Sequence, residues 1–212
     1  ILMSSPNIEL RKWTDDWLLQ KEMDGFLARA RRTWLRGSDR KYIPVRIKGL
    51  FSLLDTRFAL MGGIAEYKRT HGLPIEDRKR EHVVLEEIAA QIATSVSPPP
   101  SKELLAAIDN FFSLQIELAK GLQKVALSSA GPAPGWAENR HLRTELRPAI
   151  SRLNRRITEE LLELRVQQGF WVEEAKYQNW ATSGLTTSEL SEKSRARIGT
   201  AMWKVVQGAS GP

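Results

Sequence analysis

The chain has 212 residues, a formal net charge of +7, a pI of about 9.8 and no cysteine. That length can bury a sizeable core without staples, and the lack of cysteine excludes a disulfide framework, thiolate-ligated zinc and a thiol nucleophile. No run approaches the ~18 uninterrupted apolar residues of a membrane span, and the opening ILMSSPNIEL has neither the charged nor the apolar region of a signal peptide. The expectation is an intracellular protein, in cytoplasm, nucleus or nucleoid. The basic balance admits nucleic acid, anionic membrane or an acidic protein as partner.

Residues 8–36 read as two helical pieces. Leu10, Trp13 and Trp17 make one short apolar face; Met23, Phe26, Leu27, Ala30 and Trp34 make a second, rotated from the first. The rotation predicts a bend at Asp24-Gly25. Opposite the second face, Lys21, Arg29, Arg32 and Arg36 form a basic stripe at helical spacing. From Ala28 to Lys48 there are eight basic residues against one acid, Asp39. Arg40 and Lys41 carry this run past a Gly-Ser-Asp loop.

The stretch 42–72 reads as a long central helix. Pro44 suits its first turn, and Gly72 followed by Pro74 punctuates its end. Ile43, Ile47, Leu50, Phe51, Leu54, Phe58, Met61 and Ala65 make one apolar face. Small residues on the other side let neighbours approach, and a break at Gly62-Gly63 is the alternative. Arg46, Arg57 and Lys68 recur every eleven residues and line one edge, with Cα atoms ~16 Å apart. They read as side chains snorkelling to water or as a rail for a polyanion.

A further helix is expected at 76–95, with Val84, Leu85, Ile88 and Ile92 inward and mixed surface charges over 77–82. The SVSPPPS segment breaks the chain before Ser101 caps a helix over 102–127. Either one bundle spans residues 1–212, or two lobes, 1–96 and 102–212, are joined at Pro98–Pro100. After a Gly/Pro/Ser loop, a helix over 137–168 keeps Leu142, Leu146, Ile150, Leu153, Ile157, Leu161 and Leu164 in phase, with a kink or restart at Pro148. Arg140, Arg143 and Arg147 flank one side of it. Phe170, Trp171 and Trp180 lie in an aromatic segment that either closes the core or anchors a partner. Thr186-x-x-Glu189 reads as a capping box for a last helix over 187–207.

The fold class expected is therefore all-α: a bundle of six or seven helices around the 42–72 helix. His71, His82 and His141 fall in no recognised metal-binding motif, and no phosphate loop or dinucleotide fingerprint is present. No cofactor, metal or catalytic group is thus expected. The leading expectation is a non-catalytic subunit of a larger assembly that contacts nucleic-acid backbone. Its main patch would be Lys21, Arg29, Arg32, Arg36, Arg40 and Lys41, extended by Arg46 and Arg57, with Arg140, Arg143 and Arg147 as a second patch. The alternative is a helical adaptor that binds a protein through Phe170, Trp171 and Trp180.

Overall fold

The computed structural model describes residues 43–97, 99–128, 141–167 and 172–207. The chain divides between Tyr42 and Ile43, and all described residues lie after that division. Helix α1, Val45–Ala59, starts where Pro44 ends an extended approach, and the Pro44 carbonyl accepts the first helical bond from Lys48 N at 3.0 Å. Its apolar stripe, Ile47, Leu50, Phe51, Leu54 and Phe58, is fully buried. Leu60 interrupts the helix for one residue with near-helical dihedrals, and α2, Met61–Thr70, continues the same path. The expected long helix is thus two collinear segments. The break lies at Leu60, and Gly62 and Gly63 both sit inside α2.

Helix α2 ends in a tight reversal. Gly72 adopts a φ of 58°, a left-handed conformation that glycine reaches without a Cβ clash. It lets Leu73 N return to Lys68 O at 2.8 Å and Gly72 N to Arg69 O at 3.3 Å, the paired bonds of a Schellman motif. Beyond the reversal, Asp77 accepts from Arg80 N at 3.0 Å to cap α3, Arg78–Ser95.

Helix α4, Lys102–Ser128, begins with the Ser101 hydroxyl accepting from Leu104 N. Its buried face carries Leu104, Ile108, Phe111, Phe112, Leu118 and Leu122, but also Gln115 and Gln123. A π-helical turn, Leu142–Leu146, leads into α5, Arg147–Gln167, so the expected restart falls one residue before Pro148. Helices α6, Glu174–Gly184, and α7, Glu192–Gln207, complete the described chain. Helix α2 packs on α4, α1 on α5, and α3 on both α4 and α5; α7 lies against α4, α5 and α6. The architecture is an all-α helical bundle, with no strand among the described residues. No helix among them is long and apolar enough to cross a membrane.

The α6–α7 corner departs from the capping-box expectation. Both Asp55 carboxylate oxygens accept from Thr186 and Thr187, through backbone N–H and hydroxyl alike, at 2.6–3.2 Å. With both threonines committed to α1, helix α7 starts later and is capped by the Ser191 hydroxyl, which accepts from Ser194 N. Gly199 allows α7 to press on α6: a Cβ there would lie 2.4 Å from the Tyr177 carbonyl oxygen.

Candidate functional site

Five elements converge on a cavity of about 110 Å³: α1, α2, the first turns of α3, the middle of α4 and the π turn with the start of α5. Arg57 reaches it because it stands beside Phe58 on the buried side of α1, and only 3% of the residue is exposed. Its Nε donates to Asn154 Oδ1 at 3.0 Å and its Nη1 to the Gln115 carbonyl at 3.3 Å. Both acceptors are neutral. Burial pushes the guanidinium pKa down to about 10, so it is still charged at neutral pH.

Lys68 lies three turns further along the same edge and is also buried. Its Nζ donates to Ile75 O at 2.6 Å, a carbonyl that the turn after Gly72 brings back over α2. Burial lowers its pKa below the ordinary lysine value, and the neighbouring Asp77 carboxylate opposes that shift in part. Asp77 has two tasks: Oδ1 caps α3, and Oδ2 accepts from Arg147 Nη2 at 3.2 Å. Arg80 donates to Glu87 at 3.1 Å and to Ser151 at 3.3 Å, while Lys120 pairs with Glu81 at 3.0 Å.

Five cations therefore line the cavity (Arg57, Lys68, Arg80, Lys120, Arg147) against two carboxylates (Asp77, Glu81), an excess of three positive charges. Gln123 is the neutral polar group among them. Its Nε2 makes a 3.6 Å contact with Met61 Sδ, and its Oε1 is buried without a partner among the described residues. A wider outer cavity of about 620 Å³ shares Lys68, Asp77, Leu142 and Arg147 with the inner one. Tyr67, His71, His141 and Arg143 form its wall, with the Tyr67 and His71 rings stacked at 3.9 Å. Such an arrangement takes a small anion with more than one negative group. It holds no cluster fit for a metal ion among the described residues.

The residues singled out from the sequence fall in different places. Lys21, Arg29, Arg32, Arg36, Arg40, Lys41, Arg140, Phe170 and Trp171 lie outside the described residues. Arg46 is at the surface and pairs with Glu163 and Glu160 of α5. Arg57 and Arg147 line the inner cavity and Arg143 the outer one. The edge of Arg46, Arg57 and Lys68 is not a snorkelling row, since its second and third members are buried. Trp180 is a core residue, 5% exposed and edge-on to Tyr177 at 5.2 Å. Asp77, Arg80, Glu81, Lys120, Gln123 and Asn154 were not singled out as site residues. The available signal was polarity on buried faces: Gln115 and Gln123 interrupt the apolar side of α4, as Asn154 does on α5.

The model of the chorismate mutase type II family matches residues 48–124, a span that holds Arg57, Lys68, Asp77, Arg80, Glu81, Lys120 and Gln123. No curated protein matches the sequence. Among solved structures, the chain is similar to the chorismate mutase from Burkholderia thailandensis, with a TM-score of 0.54 and 24% identity over 76% of this chain and 99% of that one, a likeness of fold. The family match overturns the expectation of a non-catalytic complex subunit with nucleic acid as its partner, and equally that of a helical adaptor: it points to an enzyme. The geometry gives the physical reason. Arg57 of α1, Lys68 of α2 and Arg147 of α5 turn inward onto a cavity far too small for a polymer backbone, and Trp180 is spent on the core.

Proposed function

We propose that this chain is a chorismate mutase and that the inner cavity is its active site. The observation that carries the reading is Arg57: a buried guanidinium on neutral acceptors, in a cavity with three excess positive charges, inside the span that matches the family model. Chorismate is a small dianion with two carboxylates and an ether oxygen that links its side chain to its ring. Its rearrangement is unimolecular: the ether C–O bond breaks as a C–C bond forms, and no proton, electron or group is exchanged with the protein. A site for it needs no general base, metal or nucleophile. It needs a shape that holds the two reacting ends together and fixed positive charge where negative charge develops.

The cavity residues meet these needs. Arg57 of α1 and Arg147 of α5 both line the cavity and supply guanidinium partners for carboxylates. Lys68, Arg80 and Lys120 add to the positive field that an entering dianion meets. Gln123 supplies an amide that does not titrate. Its sulfur contact is weak, so half a turn of the amide directs N–H toward the cavity at little cost. Apolar Ile64, Val84, Ile116 and Ile150 complete the lining and exclude water, which strengthens each charge interaction. The outer cavity, with Arg143 and the Tyr67–His71 stack, is the approach.

The test is loss of chorismate's diene absorbance with purified protein, compared with Arg57→Ala and Arg147→Ala variants. Turnover in the wild type that falls at least a hundredfold in kcat/KM in each variant is expected. Absence of turnover in a folded wild-type protein would refute the proposal.

A further inference from the structure

We infer that Asn154 is a positioning residue that holds the Arg57 guanidinium in place without neutralising it, reserving its charge for the ligand; this rests on the cavity being the substrate site. Asn154 lies on α5 between the in-phase apolar residues Leu153 and Ile157 and is only 3% exposed. A polar amide at a core position is costly unless it is used. Its Oδ1 is used on Arg57 Nε at 3.0 Å. Its own carbonyl accepts from the fully buried Thr158 hydroxyl at 2.9 Å. Its Nδ2 has no partner among the described residues.

That unpartnered Nδ2 is the informative detail. Aspartate has nearly the same shape, offers the same oxygen to Arg57 and replaces the stranded Nδ2 with a second oxygen that a guanidinium can also take. By the hydrogen-bond inventory alone it is the better residue. It would also place a full negative charge against a buried guanidinium, where ion pairing is strong, and so occupy the charge an incoming carboxylate needs. Three of the other four cavity cations show what that looks like: Arg147, Lys120 and Arg80 each sit on a carboxylate, while Lys68 donates to a backbone carbonyl. Arg57 sits on an amide and a backbone carbonyl, and burial alone shifts its ionisation. The stranded amide is thus the structural mark of an acceptor selected for neutrality.

The experiment compares wild type with Asn154→Asp and Asn154→Leu, two replacements of similar size. Denaturant midpoint, KM and kcat for chorismate, and isothermal calorimetry with isophthalate (an aromatic dicarboxylate) are measured for all three. The inference predicts that the two orders cross. N154D should be at least as stable as N154L, yet have the weaker ligand affinity, with KM and the isophthalate Kd raised at least tenfold over wild type and kcat changed less. A purely structural Asn154 predicts that N154L is the worse variant in every readout; that result, or N154D within twofold of wild-type KM and Kd, would overturn the inference. Wild-type protein that binds isophthalate with the crossed order but does not turn over chorismate would remove the mutase reading alone. Wild-type protein that binds neither would overturn both.

Discussion

Arg57→Met removes a buried charge and keeps most of the volume. Burial lowers the Arg57 pKa from the ordinary guanidinium value to about 10, which corresponds to a desolvation cost to the folded state of about 3 kcal/mol. The substitution relieves that cost. It also leaves Asn154 Oδ1 without its donor, a loss of about 1–3 kcal/mol for a buried acceptor. The two effects nearly cancel, so the variant should unfold within about 2 kcal/mol of wild type, on the stable side if the acceptor finds water. Ligand binding should not survive: the charge that attracts the carboxylate is gone. Urea denaturation followed by far-UV circular dichroism, beside chorismate turnover, measures both. A destabilisation greater than about 3 kcal/mol would show that Arg57 is a structural residue held for packing and hydrogen bonding. The reasoning from uncompensated charge to function would then fail.

The remaining predictions concern neighbouring features. Lys68 is held below the ordinary lysine pKa by burial and Arg57 is pushed down to about 10, so kcat/KM should decline on the alkaline side as the folded protein loses these two charges; a Lys68→Arg variant that retains activity should keep only the Arg57 part of the decline. The stability sign is the reverse: the charged form is disfavoured in the folded state, so the destabilisation is complete below the folded pKa and is relieved as pH rises toward the unfolded value. Gly199→Ala places a methyl 2.4 Å from the Tyr177 carbonyl oxygen and 2.7 Å from Gln178 backbone atoms, so it should lower stability by about 2 kcal/mol or more, read as an earlier urea midpoint. Asp55→Ala strips four donors at the α6–α7 corner of their acceptor and should cost about 2 kcal/mol, with chorismate KM unchanged because the corner does not touch the cavity.

The fold was legible because its determinants are local. Pro44, Gly72, Ser101 and the periodicity of α4 each announce their structure within a few residues. The Thr186 motif misled because its competitor, Asp55, is 131 residues away in sequence. The site was hidden for the same kind of reason. Arg57, Lys68, Arg80, Gln123 and Arg147 come from separate helices, and their spacing reflects bundle geometry rather than any short motif. Arg57 and Lys68 were visible as a row, but a row of cations on one helix says nothing of whether it faces water. What decides it is the phase of Arg57 beside Phe58, and that becomes meaningful only when α5 brings Asn154 opposite. The adaptor alternative for Trp180 fails likewise on its burial in the core, which sequence spacing cannot foresee.

The π turn before α5 has a consequence for how this chain can diverge. Leu146 N reaches back to His141 O, and Arg147 N to Leu142 O, each across five residues. Such a turn is an α-helix with one surplus residue. Deleting one residue from 142–146 would let the turn relax to ordinary α geometry. His141 would swing by ~100°, one residue's rotation, while Arg147 and Asn154 kept their register. Single-residue insertions or deletions in a lineage of this protein should therefore collect in this turn, where they remodel the approach to the cavity and spare its floor.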